Sequence, residues 1–232
     1  MRRTVGESAS QYFGSMAESY DSLIRRGVPR YDEMLERLVD YLPRAANTVL
    51  ELGCGTGNLS LALAARYPSA RITFVDASPE MIEVTRARLN AARRGEDARF
   101  RFACERFESF EAGAGEFDLV ASSISLHHVV DKGSLYARVR SLVADAGTFR
   151  FSDQLRGETE EIHALNWERW LDFCRGEGNC DEEEVAGLLA HAAAHDHYTP
   201  LSEQFQLLRA AGFRRLDCVW RNWIWGIIIA DV

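Results

Sequence analysis

Short apolar runs alternate with longer amphipathic stretches along most of this chain. Tyr31 to Leu42 sets Met34, Leu35, Leu38, Val39 and Leu42 on one face at helical spacing, and Pro43 stops the helix. Val49 to Leu52 reads as the end of a buried strand, and Leu59 to Tyr67 as the helix after it. Arg71 to Val75 is the second strand, with Asp76 at its carboxyl end. Ser78 and Pro79 then open a helix as N-cap and first helical residue, running to about Arg93. Arg99 to Cys104 and Phe117 to Ser123 are the third and fourth strands. Leu135, Val139, Leu142 and Val143 mark a helix, Ala146-Gly147 breaks it, and Thr148 to Ser152 is the fifth strand. Pro200 to Gly212 is the last helix, and Arg215 to Arg221 with Trp225 to Asp231 form a closing hairpin.

Strands alternating with helices of this length predict an α/β fold with a doubly wound, mostly parallel sheet. Ligands of such sheets lie at the carboxyl ends of the strands. That rule collects Gly53 to Gly57, Asp76, Glu105, Ser122 and Asp153 on one rim. Two segments break the alternation. Residues 1–30 are polar with Tyr12, Phe13 and Tyr20 interleaved, and predict a short helix or two around a mobile loop. Residues 154–198 are helical and polar, carry Trp167, Trp170 and Phe173 at helix spacing, and predict an inserted cap. The partition is therefore 1–30, a core of 31–153, the cap of 154–198, and 199–232, which completes the core.

The turn after the first strand is Glu51-Leu52-Gly53-Cys54-Gly55-Thr56-Gly57. Glycine serves where the backbone takes positive φ or a ligand must touch the main chain. A dinucleotide turn has the spacing G-x-G-x-x-G, with the helix N-terminus on a pyrophosphate. Here the glycines alternate and an acid stands two residues before the first. That acid repels phosphate and suits a cationic ligand; its bland alternative is a solvated carboxylate at a strand end. With Val75 to Met81 and Phe117 to Val120, this stretch resembles the class I methyltransferases that use S-adenosyl-L-methionine (SAM). Within them the chain is most similar to small, free-standing enzymes with an N-terminal helical lid.

The resemblance implies a Rossmann-like sheet of seven strands with a C-terminal antiparallel hairpin, SAM as cofactor and S-adenosylhomocysteine as product. It makes residues 1–30 the lid. For the cofactor it implies Glu51, Gly53, Cys54, Gly55, Gly57, Asp76, Ala77, Met81, Glu105 and Ser122. Asp76 suits the role on its own chemistry, because two carboxylate oxygens match two vicinal ribose hydroxyls; the alternative is a helix cap. Met81 suits an adenine face or simple core packing. After the third strand the family usually has Asp, where this chain has Cys104-Glu105-Arg106. Glu105 can accept the same hydrogen bond, and a slip of one residue would put Arg106 there, which cannot accept. Ser122 or Ser123 could hold the cofactor's amino group through a carbonyl.

For catalysis the candidates are His127, His128 and Tyr20. Histidine is the usual base near pH 7, although a hydrogen-bonded structural role fits at least one of the pair. A Tyr20 ring beside a sulfonium gains cation–π energy, and packing a helix on the core explains it equally. Tyr12, Asp153, Trp167 and Trp170 are the candidate acceptor contacts. His191, His195, His197 and Cys180 match no compact zinc spacing, so no metal site is expected.

Composition narrows the partner class. The chain has 232 residues, 47% of them hydrophobic, which suits one α/β unit. A formal net charge of -8 disfavours nucleic acid, and Arg25-Arg26 and Arg93-Arg94 lie in mixed-charge surroundings. No apolar run reaches the ~20 residues of a membrane span, no signal peptide is visible, and the five cysteines are irregularly spaced. The expectation is a cytoplasmic methyltransferase acting on a small molecule, with a homodimer left open. Two alternatives stay open: cyclisation or lysis of SAM itself, releasing 5′-methylthioadenosine, and a non-catalytic SAM-binding subunit. An NAD oxidoreductase fits worst.

Overall fold

The computed structural model of the chain describes residues 20–92 and 97–232. Two helices precede the first strand, α1 (Tyr20–Gly27) and α2 (Tyr31–Asp40). The core then alternates β1 (Thr48–Leu52), α3 (Asn58–Arg66), β2 (Arg71–Asp76), α4 (Pro79–Ala92), β3 (Phe100–Cys104), β4 (Phe117–Ser123), α5 (Lys132–Leu142) and β5 (Val143–Arg156). Helices α6 (Glu160–Arg175) and α7 (Glu182–His195) follow, then the two-residue β6 (Thr199–Pro200), α8 (Leu201–Ala211), β7 (Arg215–Asn222) and β8 (Trp225–Asp231).

The strands pair in the order β3-β2-β1-β4-β5-β8-β7, with β6 beside the end of β5. β1 to β5 are parallel, and β8 runs antiparallel to both β5 and β7. This is the expected doubly wound sheet with its terminal hairpin. Strand β1 is buried on both faces, at Val49, Leu50, Glu51 and Leu52, because helices cover both sides. One face packs Met34, Leu38, Leu63 and Phe74 against α2 and α3. The other packs Tyr136, Phe149, Phe151 and Phe213 against α5 and α8.

Two boundaries differ from expectation. β5 begins directly after α5, at Val143, and its register against β4 shifts between Phe117 and Leu119. Ala146-Gly147 therefore lies within a bulged strand and does not separate a helix from one. The strand also runs on to Arg156, past the expected start of the cap at 154, because Gln154 pairs with Trp225 on β8 and Leu155 with Thr199 on β6. Tyr12 and most of the 1–30 segment lie outside the described residues.

Candidate active site

Each feature of the rim follows from a local rule. The chain leaves β1 through Gly53, Gly55 and Gly57, whose φ values are 71°, 53° and 90°. A side chain at Gly53 would collide with Ser125 Oγ, and one at Gly57 would press on Thr85 of α4, its side chain first. The turn thus needs glycine both for its left-handed backbone and for close approach. Asp76 at the end of β2 accepts from Gly55 N at 2.8 Å and Ser78 N at 2.9 Å, so it braces the turn. Burial pushes its carboxyl above the usual range.

Glu51 is 1% exposed and accepts from Ser60 Oγ at 2.6 Å. Burial, with Asp76 nearby, pushes its carboxyl up to about 8. Among the described residues no ion pair reaches this carboxyl, and a ligand ammonium would supply one. Cys54 also lines the space, but burial drives its thiol well above the ordinary value, which makes it inert as a nucleophile.

These groups line a cleft of about 1030 Å³, part of it open to solvent, at the carboxyl end of the sheet. Glu51, Gly53, Cys54, Gly55, Asp76, Ala77 and Met81 all border it, as the sequence predicts. Gly57 does not; it caps α3 and seats α4. Glu105 and Ser122 do not border it either. Ser122 is fully buried and donates to Leu52 O, because neighbouring strand residues face opposite ways; Ser123 takes the cavity side. After β3 the chain passes Arg106, Phe107 and Glu108 along the cleft, one step beyond the expected Glu105.

A second cavity of about 600 Å³ adjoins the first. Tyr20, Ile24 and Ile124 border both. Ile124 has φ of 54°, a strained value for a β-branched residue, and is held there by its N–H to Ser152 O at 2.8 Å. Trp170, Leu188, Ala192 and Trp225 make the second cavity largely apolar, with Gln154, His127, His191 and Asp196 as its polar groups. Gln154 Oε1 and the Trp225 indole N–H are buried and have no hydrogen-bond partner among the described residues. Trp170 thus reaches a cavity, whereas Trp167 and Asp153 border neither of the two. Trp167 packs on Trp170, Tyr198 and His163.

The expected histidine pair lies on a 3-10 turn, Leu126–His128, directly after β4. His127 is 3% exposed and its Nδ1 is 2.5 Å from Asp153 Oδ1. Burial opposes its charge, but Asp153 and Asp196 outweigh that and raise its proton affinity. His128 borders the first cavity, and burial with His127 alongside holds it neutral. Burial alone would raise the Asp196 carboxyl; His128, His127 and Tyr198 reverse this and hold it at about 2. Sequence reasoning missed Asp196, His191 as its neighbour, Gln154, Trp225 and Ile124. It also missed Asp21, which accepts from Thr56 Oγ1, from Asn58 Nδ2 at 3.1 Å and from Arg88 Nη1 at 2.7 Å.

Comparison with known proteins agrees with this geometry. Residues 49–147 match the model of a methyltransferase domain. The malonyl-[acyl-carrier protein] O-methyltransferase of Acetivibrio thermocellus is 32% identical over 153 residues, 66% of this chain and 51% of the relative. The ubiquinone biosynthesis O-methyltransferase of Aeromonas salmonicida is 28% identical over 171 residues, 68% of this chain and 70% of the relative. The chain spans about half the length of the first of these. Among solved structures, phosphoethanolamine N-methyltransferase 2 of Haemonchus contortus, with phosphomonomethylethanolamine and S-adenosylhomocysteine, superposes with a TM-score of 0.67 at 13% identity, covering 96% of this chain and 59% of that one. With the alternate-glycine turn, the carboxylates flanking it and the strand order already in place, the match identifies residues 49–147 as a methyltransferase domain, set in the fold of the solved methyltransferases.

Proposed function

We propose that the enzyme transfers the methyl group of SAM to an oxygen or nitrogen of a small acceptor held in the second cavity. The observation that carries this reading is the junction of the two cavities at Tyr20, Ile24 and Ile124. The first cavity has the acids for a cofactor with an ammonium and a ribose. The second has apolar walls, with Gln154 Oε1 and the Trp225 indole N–H to orient one polar group. The acidic balance of the chain supports a small acceptor over a nucleic acid.

The acceptor atom attacks the methyl carbon in line with the departing sulfur. The C–S bond breaks as the new bond forms, leaving S-adenosylhomocysteine, the methylated acceptor and a proton. Catalysis is mostly positioning and exclusion of water. Tyr20, at the boundary of the cavities, lies where a sulfonium would meet an aromatic ring. His128 is the titratable imidazole on the cofactor side and, being neutral, can take the proton. His127, locked between Asp153 and Asp196, positions that cluster.

The test is product analysis by mass spectrometry. SAM alone should stay intact, and S-adenosylhomocysteine should form only when a metabolite extract supplies an acceptor. Methylthioadenosine formed from SAM alone would replace this reading with cyclisation or lysis. Asp76→Ala should weaken SAM binding about tenfold to a hundredfold by calorimetry, the effect of losing charged hydrogen bonds. Unchanged affinity would make Asp76 a brace for the turn and nothing more.

A further inference from the structure

Asp196 Oδ1 lies at the centre of an unusual cluster. His128 Nδ1 is 3.1 Å away, His191 Nε2 3.6 Å and His127 Nε2 3.7 Å. All three histidines lie within ion-pair reach of that oxygen. The group is also built from behind. Asp153 Oδ1 sits on His127 Nδ1 at 2.5 Å, which leaves Nε2 to face Asp196. Tyr198 donates to Asp196 Oδ2 at 2.6 Å, which leaves Oδ1 to face the histidines. His127 and Asp196 are each 3% exposed at the side chain, so water does not compete.

We propose that His127, His128 and Asp196 form a binding site for a divalent first-row transition-metal ion. Their ligand atoms all lie within 4.8 Å of one another. Ligands about 2.1 Å from a tetrahedral ion stand about 3.4 Å apart, and the observed 3.1 and 3.7 Å bracket that spacing. Two imidazoles and a carboxylate suit zinc or iron(II) better than magnesium or calcium. The carboxylate behind His127 is the outer partner that fixes the tautomer of a metal-ligating histidine. Three protein ligands leave a position open, the arrangement of catalytic sites. His128 borders the cofactor cavity, and His127 and Asp196 border the second cavity. An ion held by all three therefore sits where an acceptor oxygen would meet the methyl group.

Charge points the same way. Asp153 and Asp196 are opposed by the buried Lys132, whose Nζ donates to the carbonyls of Val129 and, at 3.2 Å, of His197. Two carboxylates thus face the cluster against one buried amine, an arrangement that favours a cation. The inference rests on the methyl-transfer reading and changes one part of it. With Nδ1 on a metal, His128 is a ligand, and the ion instead of a base makes the acceptor oxygen a better nucleophile.

The experiment strips the whole protein with a chelator and titrates it with Co2+, following visible absorption. We expect one equivalent of Co2+ with the intense bands of a four- or five-coordinate ion, displaced by Zn2+. Asp196→Asn and His128→Ala should weaken Co2+ binding at least tenfold, and Asp153→Asn about tenfold or more. His197→Ala, an exposed side chain, should not. SAM calorimetry on each protein reports folding and tests the cofactor reading separately. Absence of saturable Co2+ binding by the wild type overturns the proposal and leaves His127 as an imidazolium between two carboxylates. So does one equivalent retained undiminished in both Asp196→Asn and His128→Ala.

Discussion

Glu51 shows how one buried group couples folding to ligand. Burial disfavours the anion and pushes its carboxyl up to about 8. The folded value lies above the unfolded one, so its contribution to stability is complete below the ordinary carboxylate range and is lost as pH rises through 8. The melting temperature of the free protein should fall between pH 6 and pH 9, and Glu51→Gln should flatten that slope; an unchanged slope would show that another group sets it. A bound ammonium favours the anion. SAM binding near pH 7 should therefore release a proton, visible by calorimetry in buffers of different ionisation enthalpy, and affinity should rise toward pH 8. The placing of Glu51 and Asp76 on the cleft was legible because the strand-end position and the glycine spacing are local. The serines were not: Ser122 and Ser123 differ only in strand parity, and a one-residue error turns the side chain into the sheet. Asp196 was hidden for another reason. Its partners at 127 and 128 lie far away in sequence, and no spacing rule joins them.

Asp21 ties helix α1 to the glycine turn and to α4. Asp21 binds Thr56, Asn58 and Arg88, and Arg88 itself donates to Thr56 O at 2.7 Å and Asn58 Oδ1 at 3.1 Å. The same helix carries Tyr20 and Ile24 into both cavities. Asp21→Ala should loosen α1 without unfolding the sheet. We expect faster amide exchange confined to residues 20–27 and weaker SAM binding; the Asp21–Arg88 pair is about one-third exposed at each end, so the loss of stability should be small. Exchange unchanged in α1 would mean that its other ties, Arg26 to Glu184 and Gly27 O to Trp170, with its packing, suffice to hold it. Helices α6 and α7 flank α1 on its other side. Trp167 and Trp170 read as one acceptor wall in the sequence, but helical spacing does not say which of two neighbours faces inward. Trp170 is 3% exposed and its indole N–H donates to Gly27 O at 2.7 Å, tying α6 to α1. Trp170→Ala should cost about 3–5 kcal/mol of stability, measured by denaturant unfolding. Trp167→Ala, half-buried on the outer side of Trp170, should cost clearly less. Equal losses would make the pair one core unit.

The molecule places two cavities on one rim because parallel strands end together and their connections open there. Alternation of strands and helices made that rim readable, and the hairpin at the end of the chain completed the sheet as expected. The cavities themselves were not readable, since their walls combine α1, the turn after β4, the end of β5 and α7. Only tertiary packing brings those segments together. A ligand that binds across such segments stabilises the whole fold by mass action. At a SAM concentration about a hundred times its dissociation constant, the gain is about 2.7 kcal/mol. For a chain of 232 residues each kcal/mol shifts the midpoint by roughly 2–4 °C, so SAM should raise the melting temperature by about 5–10 °C. NAD should give no shift, because it brings no ammonium to the buried Glu51 and its pyrophosphate would lie beside the Asp76 carboxylate. Thermal unfolding with each ligand checks this. A shift with NAD equal to that with SAM would mean that the cleft tolerates phosphate and that the acids do not choose the cofactor.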